Sequence, residues 1–327
     1  MKFCVFGLGA IGGFVAARLA LSGQPVSALA RGATLAAVRE HGLRLLGQDR
    51  EQSVRIEVSD SPAALAGADV VVLAVKTTAL PVVARTIAPM LGPDTVVLSA
   101  MNGVPWWFFH GLGERWRNTR LAATDPDGAL VGAIAPDRVL GCVVHMAASC
   151  PQPGVVRHAF GDRFIVGEPG GASTPRLAAV AAALSAAGLQ VEIDPRIELA
   201  VWLKLWGNMT MNPLSAVTGV TMDRILDDPQ LYRFVCTAMT EAAAIGEHFG
   251  LPITMTPDER NVVTRKLGAV KTSMLQDVEA GRPIELDALV GSVAEMARLA
   301  GVAAPSIDAL LGLARVFAQG RGLYAGA

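Results

Sequence analysis

A stripe of polar side chains on an otherwise apolar segment gives the first indication of chemistry. Within residues 199–213, Lys204, Asn208 and Asn212 stand at successive i+4 positions among apolar residues. At about 100° per residue, a helix places all three on one narrow face. A lysine on a core helix can extend its ammonium group to water, but the shorter amides cannot. Because buried amides and ammonium groups need polar partners, the spacing predicts a helix whose polar face lines a cleft that holds polar ligand or water.

A glycine-rich turn near the N-terminus predicts a site for nucleotide phosphates. Residues 2–6 favour a strand, Gly7, Gly9 and Gly12 follow, and a helical pattern continues to Leu21. Strand, Gly-x-Gly-x-x-Gly turn and helix in this order form the dinucleotide-binding fingerprint. The first glycine permits the turn, the second admits a pyrophosphate, the third allows close packing, and the helix N-terminus supplies N–H groups. The predicted cofactor-binding positions here are Gly7, Leu8, Gly9, Ala10, Ile11 and Gly12.

The residue after the second predicted strand bears on the type of cofactor. Residues 26–30 favour a strand, and Arg31 follows where an NAD-binding fold usually has Asp or Glu. An acid would bind a free ribose 2′-hydroxyl, whereas a guanidinium suits a 2′-phosphate. We therefore predict NADPH as the cofactor, with a merely solvated surface arginine as the alternative.

Two more polar residues follow predicted strands. Lys76 comes after residues 69–75, predicted as a buried parallel strand, and Asn102 follows the strand pattern of residues 95–100. Ligands in open α/β sheets bind at the carboxyl ends of the strands, so we expect both side chains on the nicotinamide side. A simple turn role is the alternative for either residue.

Strand and helix patterns alternate through the first part of the chain and then give way to helix signals. We therefore predict an α/β protein with a Rossmann-type N-terminal domain (residues 1–194) and an all-α C-terminal domain (residues 195–327). The further predicted strands are 43–46 and 54–58 as a hairpin, 139–148, 155–159 and 164–167 as a meander with a turn at Gly161-Asp162, and 190–193. The further predicted helices are 62–65, 81–91, 174–188, one starting at Asp228-Pro229, one from a capping box at Thr256 to about residue 280, 286–300, and one capped by Ser306.

Composition narrows the class of protein. With 327 residues, 52% hydrophobic and 17% charged, the chain is globular and long enough for two domains. A net charge of -1 with scattered basic residues argues against a nucleic-acid partner. Four cysteines without a C-x-x-C pair predict a reduced cytosol and no metal site, and the absence of a long uninterrupted apolar run predicts no membrane partner. We expect a cytoplasmic protein.

One aromatic segment leaves the assembly open. Residues 106–110 read Trp-Trp-Phe-Phe-His, which suits a core, a lid or a dimer surface. Because the predicted helical domain is also apolar, a homodimer is the candidate assembly.

Taken in order, these motifs resemble those of the ketopantoate reductase (2-dehydropantoate 2-reductase) family. The resemblance covers nearly the whole chain and implies NADPH-dependent reduction of a 2-oxo acid, ketopantoate to (R)-pantoate in pantothenate biosynthesis. It is carried by the N-terminal glycine motif, Val75-Lys76-Thr77, Asn102-Gly103, Lys204-x-x-x-Asn208-x-x-x-Asn212-Pro213, Ser273-Met274-Leu275-Gln276-Asp277 and Ile284-Glu285.

The resemblance also implies a role for each matching residue. Lys204 matches the catalytic lysine, Glu285 the active-site glutamate and Arg31 the arginine of the 2′-phosphate site. The substrate-contacting positions are Asn208, Asn212, Ser273 and Asn102; Asn102 also lies by the nicotinamide, and Lys76 belongs to the cofactor site. Hydride transfer to a carbonyl makes an alkoxide, and a cation that donates a proton offsets that charge. Burial and a neighbouring carboxylate act in opposite directions on the pKa of such a lysine, and the sequence leaves their balance open.

Other functions stay open at this point. Met222 stands where many family members carry a further substrate-binding Asn, and the 106–137 segment departs from the compact form, so a different 2-oxo acid is an alternative. A β-hydroxyacid dehydrogenase would share the two domains and a Lys-x-x-x-Asn pair, but its Ser-Gly-Gly segment is absent. An NADPH-binding redox sensor is the non-enzyme alternative, yet it would not need Lys204, Asn208 and Glu285 together.

Overall fold

The computed structural model describes residues 1–47 and 50–324. The chain divides into two compact units. Unit 1 comprises Met1–Met101, Trp107–Asn118 and Gly128–Glu198; unit 2 comprises Asn102–Trp106, Thr119–Asp127 and Leu199–Ala327. Each unit combines several segments of the chain, so the units are defined differently from two continuous domains. The predicted division into continuous domains at residue 194 stays a prediction.

A single mixed sheet forms the centre of unit 1. Its strands are β1 Phe3–Phe6, β2 Val26–Leu29, β3 Leu43–Leu46, β4 Glu51–Val54, β5 Glu57–Ser59, β6 Val70–Leu73, β7 Val96–Ser99, β8 Val139–Gln152, β9 Val155–Gly167 and β10 Gln190–Ile193. Within the described residues the strand order is β4-β3-β9-β8-β7-β6-β1-β2-β5, with β10 beside β9. Pairing is parallel except between β3 and β4 and between β8 and β9.

The central strands are short and apolar because both of their faces are covered. Every residue of β1, β6 and β7 is buried, as expected for parallel strands with elements on both sides. The helices of unit 1 are α1 Ala10–Leu21, α2 Gly32–His41, α3 Leu80–Thr86, α4 Ala129–Ala133 and α5 Pro175–Ala186. The predicted α/β class is therefore confirmed, and α2 is a helix that the sequence reasoning missed.

Two predictions about strands are wrong. Residues 54–58 do not form the second hairpin strand, because β4 pairs antiparallel with β3 while β5 pairs parallel with β2. The turn expected at Gly161-Asp162 is absent, and β9 continues through it. Pairing changes register there, from His145 opposite Arg163 to Ala147 opposite Phe160, so β9 carries one extra residue. Gly161 has φ 76°, and a β-bulge uses such a glycine to bend a strand without ending it.

The aromatic segment is part of the core. Trp106, Trp107, Phe108 and Phe109 are all buried. Trp107 lies so close to Gly141 that a Cβ on that glycine would stand 2.6 Å from its ring. Of the three roles considered for the segment, packing in the interior is the one observed.

Unit 2 contains helices and no strand within its described residues, as predicted. Its elements are α6 Ile197–Thr218, which begins at the end of unit 1, α7 Met222–Asp227, α8 Pro229–His248, α9 Pro257–Arg265, α10 Ser273–Glu279, a π-helical segment Asp287–Gly291, α11 Ser292–Ala300 and α12 Pro305–Gln319. The Asp228 side chain caps α8 by accepting from the N–H groups of Gln230 and Leu231. No helix in the described ranges is long and apolar enough to cross a membrane.

Two helix boundaries differ from the prediction. The capping box at Thr256 is present, but its helix ends at Arg265 rather than near residue 280. A separate helix, α10, begins after Thr272, whose hydroxyl accepts from the N–H of Leu275. Ser306 does not cap α12, because the Glu241 carboxylate of α8 accepts its N–H and that of Ile307. A carboxylate distant in sequence thus takes the place of a local cap.

Candidate active site

The polar face of α6 is present as predicted. Lys204 and Asn208 are half-buried and Asn212 is 5% exposed, whereas Trp202, Trp206 and Met209 are fully packed. Leu203, next to Lys204 in the sequence, is 38% exposed. A cation and two amides therefore stand on one side of a helix whose other sides are mostly in the core.

A hydrogen bond joins two residues that the sequence reasoning had placed separately. The Lys204 Nζ donates to Asn102 Oδ1 over 2.8 Å. The acceptor is a neutral amide, so it orients the ammonium group without neutralising it. An ammonium group held in this way can offset a negative charge that develops on a nearby oxygen.

The segment that carries Asn102 is docked on the π-helical segment. Gly103 has φ 81°, and a Cβ there would lie 2.4 Å from the Ala288 carbonyl oxygen. The next N–H, of Val104, donates to that same oxygen over 3.0 Å, and the Ser292 hydroxyl donates to it over 2.7 Å. Gly103 and Ala288 were not among the predicted site residues. The available signal was the glycine directly after Asn102, which permits this close approach.

Glu285 lies three residues before Ala288 in the chain. Its side chain is 6% exposed, and its carbonyl accepts from the N–H of Leu289 over 3.2 Å. Single turns of π-helix occur frequently at functional sites. Contacts from Lys204 through Asn102 and Gly103 to Ala288 therefore link α6 to the segment that holds this buried carboxylate. Ser273 occupies the exposed first position of α10, and its substrate role stays a prediction.

The glycine turn in unit 1 has a separate geometry that fits a nucleotide. Gly7 has φ 102°, and a Cβ on Gly12 would lie 2.0 Å from the Gly7 carbonyl oxygen. A Cβ on Gly9 would meet nothing within 4 Å, so packing within the chain does not require glycine there. Helix α1 has no side-chain cap and no acidic residue in its first turn. Open space beside uncapped N–H groups at a helix N-terminus suits a pyrophosphate.

Arg31 and Lys76 lie at the same edge of the sheet as this turn. The turn follows β1, Arg31 comes shortly after β2, and Lys76 comes shortly after β6. These three strands are adjacent and parallel, so their carboxyl ends share one edge. Both side chains are exposed, which places two cations beside a turn suited to phosphates.

Comparison with known proteins assigns the family. Residues 3–110 match the model of ketopantoate reductase PanE/ApbA, and residues 196–318 match the model of its C-terminal part. A 2-dehydropantoate 2-reductase of Mesorhizobium japonicum is 44% identical over 99% of this chain and 100% of its own. The chain belongs to the ketopantoate reductase family. It is therefore an oxidoreductase by descent, and the predicted resemblance is confirmed.

Further relatives agree across the whole length. The 2-dehydropantoate 2-reductase of Halobacterium salinarum is 31% identical over 97% of this chain and 98% of its own. A crystal structure from Ralstonia solanacearum MolK2, provisionally assigned as a ketopantoate reductase, is 50% identical with a TM-score of 0.95 and covers 99% of both chains. A D-mandelate dehydrogenase in complex with NADH shares the fold, with 20% identity, a TM-score of 0.84 and coverage of 99% and 100%.

Met222, which stands where the resemblance implies a further substrate-binding Asn, is a buried residue. It is the first residue of α7 and is 9% exposed. Its N–H donates to the Val270 carbonyl over 3.2 Å. The position thus carries a buried apolar side chain in place of the amide that the resemblance implies.

Proposed function

We propose that this protein reduces ketopantoate (2-dehydropantoate) to (R)-pantoate with NADPH, a step of pantothenate biosynthesis. The observation that carries the proposal is the hydrogen bond from Lys204 Nζ to Asn102 Oδ1. In a chain of this family, that bond presents an oriented cation for the reduction of a carbonyl group.

Each predicted site residue has a task that its chemistry supports. When bound, reduced nicotinamide supplies a hydride to the C2 carbonyl carbon of the substrate. Lys204 donates a proton to the carbonyl oxygen, and its charge stabilises the alkoxide as it forms. Asn102 orients Lys204, while Asn208 and Asn212 bind polar groups of the substrate without adding charge. Ser273 donates to the substrate carboxylate, and Glu285 acts as the buried active-site carboxylate.

NADPH is the proposed cofactor because of Arg31. Its guanidinium lies just beyond β2, in the sequence Ala30-Arg31-Gly32, where no acid is present to bind a free 2′-hydroxyl. The pyrophosphate binds at residues 7–12, and Lys76 at the same sheet edge binds the cofactor beside it.

A different 2-oxo acid is the second candidate substrate. It is favoured by Met222, whose buried side chain replaces a polar contact to the far end of ketopantoate. On grounds of sequence, we also propose a cytoplasmic location, a homodimer and two functional domains divided at residue 194.

A substrate panel tests the reaction directly. Purified protein is assayed with NADPH and with NADH against ketopantoate and other 2-oxo acids, followed by cofactor absorbance. We expect the highest kcat/KM with ketopantoate and NADPH. A higher kcat/KM with another acid supports the second candidate, and no reduction of any 2-oxo acid refutes the proposed function.

Two substitutions with matched controls test the residues. Lys204→Ala should lower kcat by about 10²-fold or more, since a positioned acid contributes that much, while the Kd for NADPH stays constant. Lys266→Ala, at an exposed lysine of unit 2, is the control. Arg31→Ala should raise KM for NADPH but not for NADH, and Arg39→Ala on the exposed side of α2 should change neither. Unchanged turnover in Lys204→Ala contradicts the role of that lysine.

A further inference from the structure

The last described residues of the chain hold the segment that carries Glu285. The Leu323 carbonyl accepts from the Ile284 N–H over 3.1 Å, and the Leu323 side chain is buried. Next to it, the Tyr324 hydroxyl donates to Asp287 Oδ1 over 2.8 Å. Residues 284 and 287 flank Glu285, so this carboxylate lies between two attachments to residues 323–324.

The approach to this segment is fixed from α10 as well. The Arg282 Nε donates to Asp277 Oδ1 over 3.0 Å, and the Arg282 N–H donates to the Asp277 carbonyl over 2.8 Å. Asp277 is itself buried. The chain entering the segment is therefore anchored, and the Asp287–Tyr324 bond provides the anchor on the other side of Glu285.

The carboxylate of Asp287 is partly shielded from water. Burial raises the pKa of the Asp287 carboxyl, while the Tyr324 hydroxyl and the charge of Arg315 act against that rise. A Cβ on Gly291 would lie 3.2 Å from Asp287 Oδ1, so a side chain there would crowd the carboxylate. A shielded carboxylate that loses a donor must find another or move.

We propose that Tyr324 is a positioning residue for the reduction: by binding Asp287, its hydroxyl holds the segment that presents Glu285 and the Ala288 carbonyl. The inference rests on the proposed function in taking Glu285 as the active-site carboxylate. Because the Ala288 carbonyl receives the Val104 N–H, a shift of this segment also moves Asn102, which binds Lys204. Tyr324 thus acts on the reacting groups through the backbone, without contacting substrate.

The chain supplies a matched control for the test. Its two tyrosines both donate to an aspartate, Tyr324 to Asp287 and Tyr232 to Asp258 over 2.5 Å. Tyr324→Phe and Tyr232→Phe each remove one hydroxyl. We expect kcat to fall about tenfold in Tyr324→Phe, because sub-ångström misplacement of reacting groups has effects of this order, with KM for NADPH unchanged. Tyr232→Phe should keep kcat within about twofold of the parent protein.

Two further variants separate positioning from general loss of stability. Asp287→Asn keeps an acceptor oxygen for the Tyr324 hydroxyl and should retain most of the activity. Asp287→Ala should lower kcat as Tyr324→Phe does. A double variant that combines these two substitutions should show no additional loss of kcat, since each of them removes the same hydrogen bond. Equal losses of kcat in the two tyrosine variants, or fully additive losses in the double variant, would overturn the inference.

Hydrogen exchange gives a readout that does not depend on turnover. Amides of residues 284–289 should exchange faster in Tyr324→Phe than in the parent protein, whereas Tyr232→Phe should leave them unchanged. If exchange accelerates but the parent protein reduces no 2-oxo acid, the proposed function fails while the attachment by Tyr324 stands. If both amide exchange and kcat are unchanged in Tyr324→Phe, Tyr324 does not position the segment that carries Glu285.

Discussion

Substituting Gly103 by alanine adds one methyl group, whose effect on kcat should be separable from its effect on stability. In Gly103→Ala the new Cβ would lie 2.4 Å from the Ala288 carbonyl oxygen and 2.8 Å from the Ala288 Cβ. Non-bonded Cβ atoms essentially never approach closer than 3.0 Å, so one of the two segments must retreat by about 0.6 Å. Neither neighbour is the end of a flexible side chain that could rotate away.

That displacement lengthens the hydrogen bond made by the proposed proton donor, Lys204. The Lys204 Nζ to Asn102 Oδ1 distance is 2.8 Å, so a shift of about 0.6 Å away from Lys204 takes it beyond the usual hydrogen-bond range. We expect kcat to fall by about ten- to a hundredfold. The Kd for NADPH should change much less than kcat, because the proposed phosphate site lies in residues 7–12.

An alanine in the left-handed backbone conformation of Gly103 also lowers the free energy of unfolding, and a second variant controls for this effect. Gly250 has φ 76° and a Cβ there would meet nothing within 4 Å. Gly250→Ala therefore introduces a similar backbone strain of about 1–2 kcal/mol without the clash. Kinetics of both variants are measured well below their melting temperatures, with Kd for NADPH by fluorescence titration. Parental kcat in Gly103→Ala, or an equal loss of kcat in Gly250→Ala, would refute this role of Gly103.

Two further predictions follow from the glycine turn and from a buried acid. Gly9→Ala should weaken NADPH binding with little change in Tm, because its Cβ would meet no atom within 4 Å. Gly12→Ala should also lower Tm, because its Cβ would lie 2.0 Å from the Gly7 carbonyl oxygen. Thermal melts with and without NADPH check both variants. Burial raises the pKa of Glu198 above its ordinary value of 4.5, so at a pH between the two pKa values the folded state holds a proton that the unfolded state has lost. Its contribution to stability is present below pH 4.5 and is lost as the pH rises through the raised pKa. Urea unfolding from pH 4 to 7 should therefore show the parent protein losing stability relative to Glu198→Gln, and a constant difference would contradict the assignment.

Much of the fold could be predicted because its signals are local. Helix α6 shows its polar face through spacing along one helix, and the turn at residues 7–12 shows its conformation through glycine. The capping box at Thr256 needs only residues within one turn. Patterns failed where local preferences were nearly balanced, as where α9 ends at Arg265 and where β9 bends at Gly161 instead of turning.

The sequence by itself determined the α/β and all-α parts, the glycine turn, the face of α6 and the family, because periodicity, glycine and motif order are properties of neighbouring residues. Only the tertiary structure decided that Lys204 binds Asn102, that Gly103 fits against Ala288, and that Tyr324 holds Asp287. These contacts join residues far apart in the chain. No local preference specifies such a pair, since its partners meet only when the packing of whole helices has set the distance between them.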